Sequence, residues 1–258
     1  MKRLISKIGT GAVLLAVLLL TLFAPATAQA AAGAIKGSYV FAEQGTLPSG
    51  QPAVGLAILN FAENGTVVGV RAARTMSGVV KRNVQGAYVR NSDNSGSLTL
   101  TTVYSDQEEN PQAISESYKL LFGESGEIKA VRSCLGYYSV ARLAPLAQAT
   151  VLSGSYIFGE SVIGQPFARI GQVKIDTAGN ADGLQIVVSN LLNGSAAMKG
   201  SVRMLPDGFG CLTLSTVITN GEGESISVVE NYLFASTGGE VWLMRADNGP
   251  FSLVTLIR

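Results

Sequence analysis

The 258-residue chain has no histidine. This excludes His-based triads, Cys–His pairs and most zinc sites. It also removes the side chain that most readily serves as a general base near neutral pH. Acid–base chemistry would have to come from carboxylate, Tyr, Lys or Arg. Cysteine is scarce, with only Cys134 and Cys211. Two cysteines cannot make a disulfide-dense scaffold, so the fold must rest on its core; one bridge and two separate thiols are both open. Charged residues are only 14% of the chain, and beyond Ala30 the balance is 16 Lys and Arg against 18 Asp and Glu. That leaves no basic surplus to draw nucleic acid or an anionic membrane. Walker and Rossmann glycine fingerprints are missing, and no stretch after residue 31 reads as a long amphipathic helix. No cofactor, metal or catalytic residue is therefore assigned.

At the N-terminus, Lys2, Arg3 and Lys7 precede an apolar run from Ala12 to Ala24, and Ala28-Gln29-Ala30 supplies small residues around a cleavable bond. These features predict a secretory signal peptide over residues 1–30 and an exported mature chain, periplasmic or extracellular. The run is too short to cross a bilayer comfortably, so no membrane span is expected after cleavage.

The remainder is written twice. GSYVF at 37–41 returns as GSYIF at 154–158. Further matches fall 114 positions apart: Gly50-Gln51-Pro52 with Gly164-Gln165-Pro166, Gly86 with Gly200, LTLTTV at 98–103 with LTLSTV at 212–217, and Glu116 and Tyr118 with Glu230 and Tyr232. A period this long is a domain, not a solenoid unit. The predicted organisation is a first domain over 31–143, a linker over 144–151 and a second domain over 152–258. Within each copy, apolar and polar residues alternate with a period of two, as in Leu98-Thr99-Leu100-Thr101, the pattern of a sheet with one face buried. Eight such runs fall in the first copy, near 37–43, 53–61, 66–74, 82–90, 97–104, 114–122, 127–133 and 136–143. Short links rich in Gly, Asn, Asp and Ser favour antiparallel hairpins. The predicted fold is all-β: two tandem antiparallel up-and-down eight-stranded barrels, closed so that no strand edge is exposed. A two-sheet sandwich is the alternative. A sixteen-stranded membrane pore would need a lipid-facing apolar row, whereas the face opposite the leucines carries Thr99, Thr101, Ser117, Lys119, Thr213 and Ser215.

Three elements of each copy carry a family likeness: Gly37-Ser38-Tyr39-Val40-Phe41 at the start, the Gly65–Gly69 hairpin, and Gly96-Ser97-Leu98-Thr99-Leu100 in mid-domain. On these the chain resembles exported bacterial lipocalin-like barrels (calycin or allene-oxide-cyclase-like). The resemblance implies a barrel able to hold a small apolar ligand. Lipocalins carry Trp where Tyr39 and Tyr156 stand, and an Arg on the last strand that packs over it; Arg142 is the candidate here, with Thr255 at the corresponding place in the second copy.

One constellation stands out in both copies. Glu116, Tyr118, Leu120 and Phe122 share a strand face, as do Ile128, Ala130 and Arg132. A hairpin pairing Phe122 with Ile128 puts Tyr118 opposite Arg132, with Glu116 diagonal to it. Glu230, Tyr232 and Arg245 repeat this. Inward charges must pair with one another, because an unpaired buried charge is costly. Tyr39, Phe41 and Glu43, and Tyr156, Phe158 and Glu160, extend the inward set. Three functions are open: a non-catalytic binder of a small apolar or amphipathic ligand, with Arg132 and Arg245 meeting a polar head; a structural or adhesive protein whose barrels are filled; and a cofactor-free isomerase or cyclase using Glu, Tyr and Arg. Asp176, Asn180 and Asp182 read as a hairpin turn rather than a calcium loop. Trp242 and Met244, on an outward face, are candidates for the surface where the barrels meet or where a protein partner docks.

Overall fold

A computed structural model describes residues 35–47, 49–75, 78–104, 112–124, 126–132, 137–147, 152–162, 166–189, 193–219, 223 and 225–258. The expected signal peptide and Cys134 lie outside the described residues. Residues 31–258 form one compact unit. The first eight strands are β1 (Gly37–Thr46), β2 (Pro52–Phe61), β3 (Thr66–Thr75), β4 (Gly78–Arg90), β5 (Ser95–Tyr104), β6 (Gln112–Phe122), β7 (Ile128–Arg132) and β8 (Tyr138–Pro145). The next eight are β9 (Gly154–Ser161), β10 (Phe167–Ile175), β11 (Asn180–Ser189), β12 (Asn193–Met204), β13 (Gly210–Thr219), β14 (Ser225–Ser236), β15 (Glu240–Arg245) and β16 (Leu253–Ile257). Each strand pairs antiparallel with the next, and each set closes into a barrel: β8 returns to β1 and β16 to β9. The all-β, tandem eight-stranded architecture is as the alternation implied.

Parity decides which residues go inside. On β5 Leu98 and Leu100 are fully buried while Thr99 between them is exposed; Leu212 and Leu214 occupy the same places on β13. The interior of the first barrel is a continuous core that includes Phe41, Leu59, Leu98, Leu100, Tyr118 and Leu143. At its lower end Tyr39, Phe61 and Tyr88 meet edge to face, with centroids 5.3 and 5.2 Å apart. Some repeated glycines mark close approaches. A Cβ at Gly86 or Gly200 would run into the carbonyl oxygen of Thr99 or Thr213 on the neighbouring strand, so only glycine lets these strands pass.

The barrels meet along a second apolar core formed by outward faces. The first contributes Val40, Ala42, Val54, Leu56, Ile58 and Ala72 from β1–β3; the second contributes Phe209, Leu233, Ala235, Trp242 and Met244, mainly from β14 and β15. Trp242 and Met244 are 2% and 0% exposed, so their outward face is the seam itself. β2 is accordingly apolar on both faces, as a strand buried on both sides must be. Cys211, a free thiol, packs beside this seam. Polar bonds rim it: Lys81 to Asp207 at 2.7 Å, and Leu146 bridged to Thr237.

Arg142 departs from the arrangement that the family likeness implied. It does not cover Tyr39. It crosses the seam, stacks 4.7 Å over Trp242 and donates to Thr255 at 3.1 Å. The outward parity of its strand position, between inward Ala141 and Leu143, forces this direction. In the second copy Arg258, just past β16, does pack over Tyr156, at 5.5 Å.

The two-face logic has a direct check. Leu100→Ala should lower stability by about 2–5 kcal/mol in a denaturant titration, whereas Thr99→Ala, one residue away, should change it by no more than about 0.5 kcal/mol.

Candidate functional site

Each barrel carries a buried polar cluster above its apolar core. In the first, β1 supplies Glu43, β6 supplies Glu116 and Tyr118, β7 supplies Arg132 and β8 supplies Ser139. Tyr118 stands opposite Arg132 and Phe122 opposite Ile128. Arg132 donates to Glu116 Oε1 at 2.5 Å. Tyr118 donates to Glu43 at 3.1 Å and to Glu116 at 3.2 Å, and Ser139 also donates to Glu43. Phe41 lies below, with its ring 5.3 Å from that of Tyr118. Tyr39 sits at the other end of the barrel, with Phe61, and is not part of the cluster.

The second barrel repeats the plan. Tyr232 stands opposite Arg245, whose Nη1 lies 2.8 Å from Glu230 Oε1. Ser252 donates to Glu160. Tyr156 is again remote, bonded to Ser153 O at 3.0 Å. Phe158 lies beneath Arg169, 5.6 Å from its guanidinium.

Arg71 and Arg169 are the groups that sequence reasoning missed, and each is the hub of its cluster. Arg71 on β3 donates to Glu43 at 2.5 Å and also to Glu116. Arg169 on β10 donates through Nε to Glu160 and through Nη1 to Glu230, both at 2.5 Å, and also to Tyr232. The two arginines are not equivalent positions. At the 114-residue spacing Arg71 corresponds to Gln185, and Arg169 corresponds to Gly55. The structure explains the exchange. A Cβ at Gly55 would stand 3.3 Å from Arg71 Nε, so glycine there leaves room for the guanidinium arriving from β3. In the second barrel the cation comes from the adjacent strand, and Gln185 takes the vacated place, accepting from Arg169 at 3.1 Å and donating to Thr216 at 3.2 Å. Inward parity was the available signal: Arg71 shares the face of Val67, Gly69 and Ala73, as Arg169 shares that of Phe167, Gly171 and Val173.

Burial works against the charge on Arg71 and on Arg169, but the facing carboxylates outweigh it and hold both guanidinium groups above their ordinary value. Burial pushes the Tyr118 and Tyr232 phenols up, so both stay protonated at neutral pH.

The clusters differ in how they meet solvent. In the second barrel the loop 246–252 folds over the mouth. Asp247 accepts from Arg245 Nε, Gly249 N and Asn231 N, each at 2.7 Å, and Gly249 lies flat on the guanidinium, where a Cβ would overlap it. In the first barrel Glu43, Arg71, Glu116 and Arg132 floor a cavity of about 400 Å³. The side chain of Arg71 is 13% exposed against 3% for Arg169. The Nε atoms of Arg71 and Arg132 are buried without a hydrogen-bond partner among the described residues. Both Nε atoms in the second barrel are bonded. The cavity wall includes Leu47, Pro52, Val54, Val80 and Ile114, and it is completed by Phe251 from the second barrel's loop, stacked 5.0 Å from Arg74. A wider groove of about 1030 Å³ follows the seam past Gln44, Arg142, Trp242 and Pro250, without a buried charge cluster at its floor. Asp176 accepts from Ala178 N, Asn180 N and Asn180 Nδ2, the bonding of a turn.

No protein-family model matches the chain, and no curated protein does. A solved structure from Bacteroides fragilis, described as a "putative outer membrane protein", aligns with 86% of this chain and 96% of its own at 13% identity, with a TM-score of 0.25. A likeness that slight has no bearing on function.

Two expectations test the clusters. Gly55→Arg alone should destabilise the first barrel by about 1–3 kcal/mol through overpacking and a third cation. Adding Arg71→Gln recreates the second barrel's layout and should recover most of the loss, a non-additivity read by chemical denaturation. The second expectation concerns pH. Burial raises the Asp247 carboxyl, but the bonds from Arg245, Asn231 and Gly249 outweigh it and hold it below its ordinary 3.8. Its folded value is depressed, so its contribution is complete above pH 3.8 and fades as pH falls through the folded value. The stability gap between wild type and Asp247→Asn should therefore be constant near neutrality and close at pH below 3.8.

Proposed function

We propose that this is an exported, lipocalin-like tandem barrel whose first half binds a small amphipathic anion, while the second half is a closed support. The carboxylate or similar head sits on Arg71 and Arg132 at the cavity floor. The apolar part lies along Val54, Val80, Ile114 and Phe251 near the rim. The observation that carries this reading is the set of buried Nε–H groups, on Arg71, Arg74 and Arg132, that have no partner among the described residues and belong to arginines lining a cavity in the size range of ligand pockets. Buried donors without partners are costly, and an anion's oxygens would satisfy them in charge-assisted bonds. The charge of the lining agrees: Arg71, Arg74, Arg82 and Arg132 against Glu43 and Glu116.

The barrel interior below Phe41 and Tyr118 is packed, so the ligand occupies the mouth and not the barrel's length. The closed second mouth, with its arginine Nε atoms all bonded, supports a structural role for that half. The electrostatics also favour binding over catalysis. Glu116 accepts from Arg71, Arg132 and Tyr118 together, so its oxygens are already engaged, as those of a counter-ion are.

Isothermal titration with sodium decanoate tests this. One site per chain is expected, weakened about tenfold or more by Arg132→Met, the cost of losing a charge-assisted bond. Arg203→Met, on the outer face of β12, should leave it unchanged. Absence of decanoate binding, or binding indifferent to Arg132→Met, would overturn the proposal.

A further inference from the structure

The seam between the barrels is heterologous. The first barrel offers the outer face of β1–β3, and the second offers the outer face of β14–β15. Because the barrels are copies, each owns both kinds of face, and two faces remain uncovered within the chain. One is the outer face of β9–β11, the counterpart of β1–β3. Ile157, Ile170, Leu184, Ile186 and Val188 stand there 46–61% exposed. They replace Val40, Leu56, Val70, Ala72 and Arg74, while Gly159, Ala168 and Gln172 stand for Ala42, Val54 and Ile58, so the face keeps an apolar centre with a different relief. Contiguous exposed aliphatics on three adjacent strands mark an interaction surface.

We propose that this face pairs with the same face of a second copy of the chain in a two-fold dimer. The relief of the patch is self-complementary. Ile170 stands directly across from Gly159 on one side and Ile186 on the other. The space over Gly159 is open, with nothing within 4 Å of where a Cβ would lie. A knob therefore adjoins a notch. A two-fold axis between them seats each Ile170 in the partner's Gly159 notch, the arrangement an isologous contact requires.

The alternative partner face is the outer face of β6–β7 of another copy, continuing the intrachain packing head to tail. Leu121 and Val131 are exposed on that face, but each is paired across the strands with a lysine, and these, Lys129 and Lys119, stand in place of Trp242 and Leu233. Docking β9–β11 on it would desolvate two ammonium groups against aliphatics, which is costly. Those lysines block open-ended growth, as charges on exposed sheets commonly do.

Sedimentation velocity of the purified chain from about 1 to about 100 μM is the test. A monomer–dimer equilibrium is expected. Ile170→Glu and Gly159→Lys should each weaken it about tenfold or more, as substitutions at an interface centre do. Gly159→Lys fills open space, so circular dichroism and decanoate titration should match wild type for that variant. Lys129→Ala, on the other uncovered face, should not alter the dimer. A chain monomeric throughout, a dimer insensitive to both patch variants, or growth beyond two copies would overturn the proposal. Capture of the chain by phosphatidylcholine vesicles, abolished by Ile170→Glu, would overturn it in favour of a lipid surface.

Discussion

Two carboxylates inside each barrel must be matched by guanidinium groups, and much of the molecule's upper half follows from that need. Glu43 and Glu116, or Glu160 and Glu230, stand a layer above a packed apolar core, where an unpaired charge is expensive. Arg132 and Arg245 meet half the demand from the same position in both copies. The other half is met by Arg71 from β3 or Arg169 from β10. A long side chain can deliver its charge to one point in space from either of two neighbouring strands, provided the other strand yields room. Gly55 yields it in the first barrel, and Gln185 fills the vacated place in the second. What is held fixed is the location of the charge, not the residue number that supplies it.

The same accounting explains why the copies have become unequal. In the second barrel Asp247 adds a third carboxylate that takes the Arg245 Nε–H, the loop 246–252 covers the mouth, and the Arg169 Nε–H is already held by Glu160. Among the described residues the first barrel keeps three buried Nε–H groups without partners, on Arg71, Arg74 and Arg132, all arginines that line its cavity.

Most of the architecture was legible in the sequence. Period-two alternation located all eight strands of the first copy, and the duplicated motifs located the second. The pairing of Tyr118 with Arg132 could be read from the hairpin register alone, as could that of Tyr232 with Arg245. The hubs could not be read by the same route. Comparing the copies draws the eye to residues that match, and Arg71 and Arg169 do not match, because the cation moved one strand sideways. Inward parity would have flagged each. The seam was half legible: Trp242 and Met244 betrayed one side, while the other lay hidden in β2, whose unbroken apolar run looks like core. Arg142 was misread because likeness to a family supplied its role, whereas its own parity turns it outward.

Phe251 belongs to the segment that caps the second barrel, yet its ring walls the cavity of the first. The halves are therefore not two beads on a string. A first half cut off at the junction would lose part of its cavity wall, and any change in the cap's length would be felt by both barrels. One segment thus serves as cover for its own barrel and as wall for its neighbour.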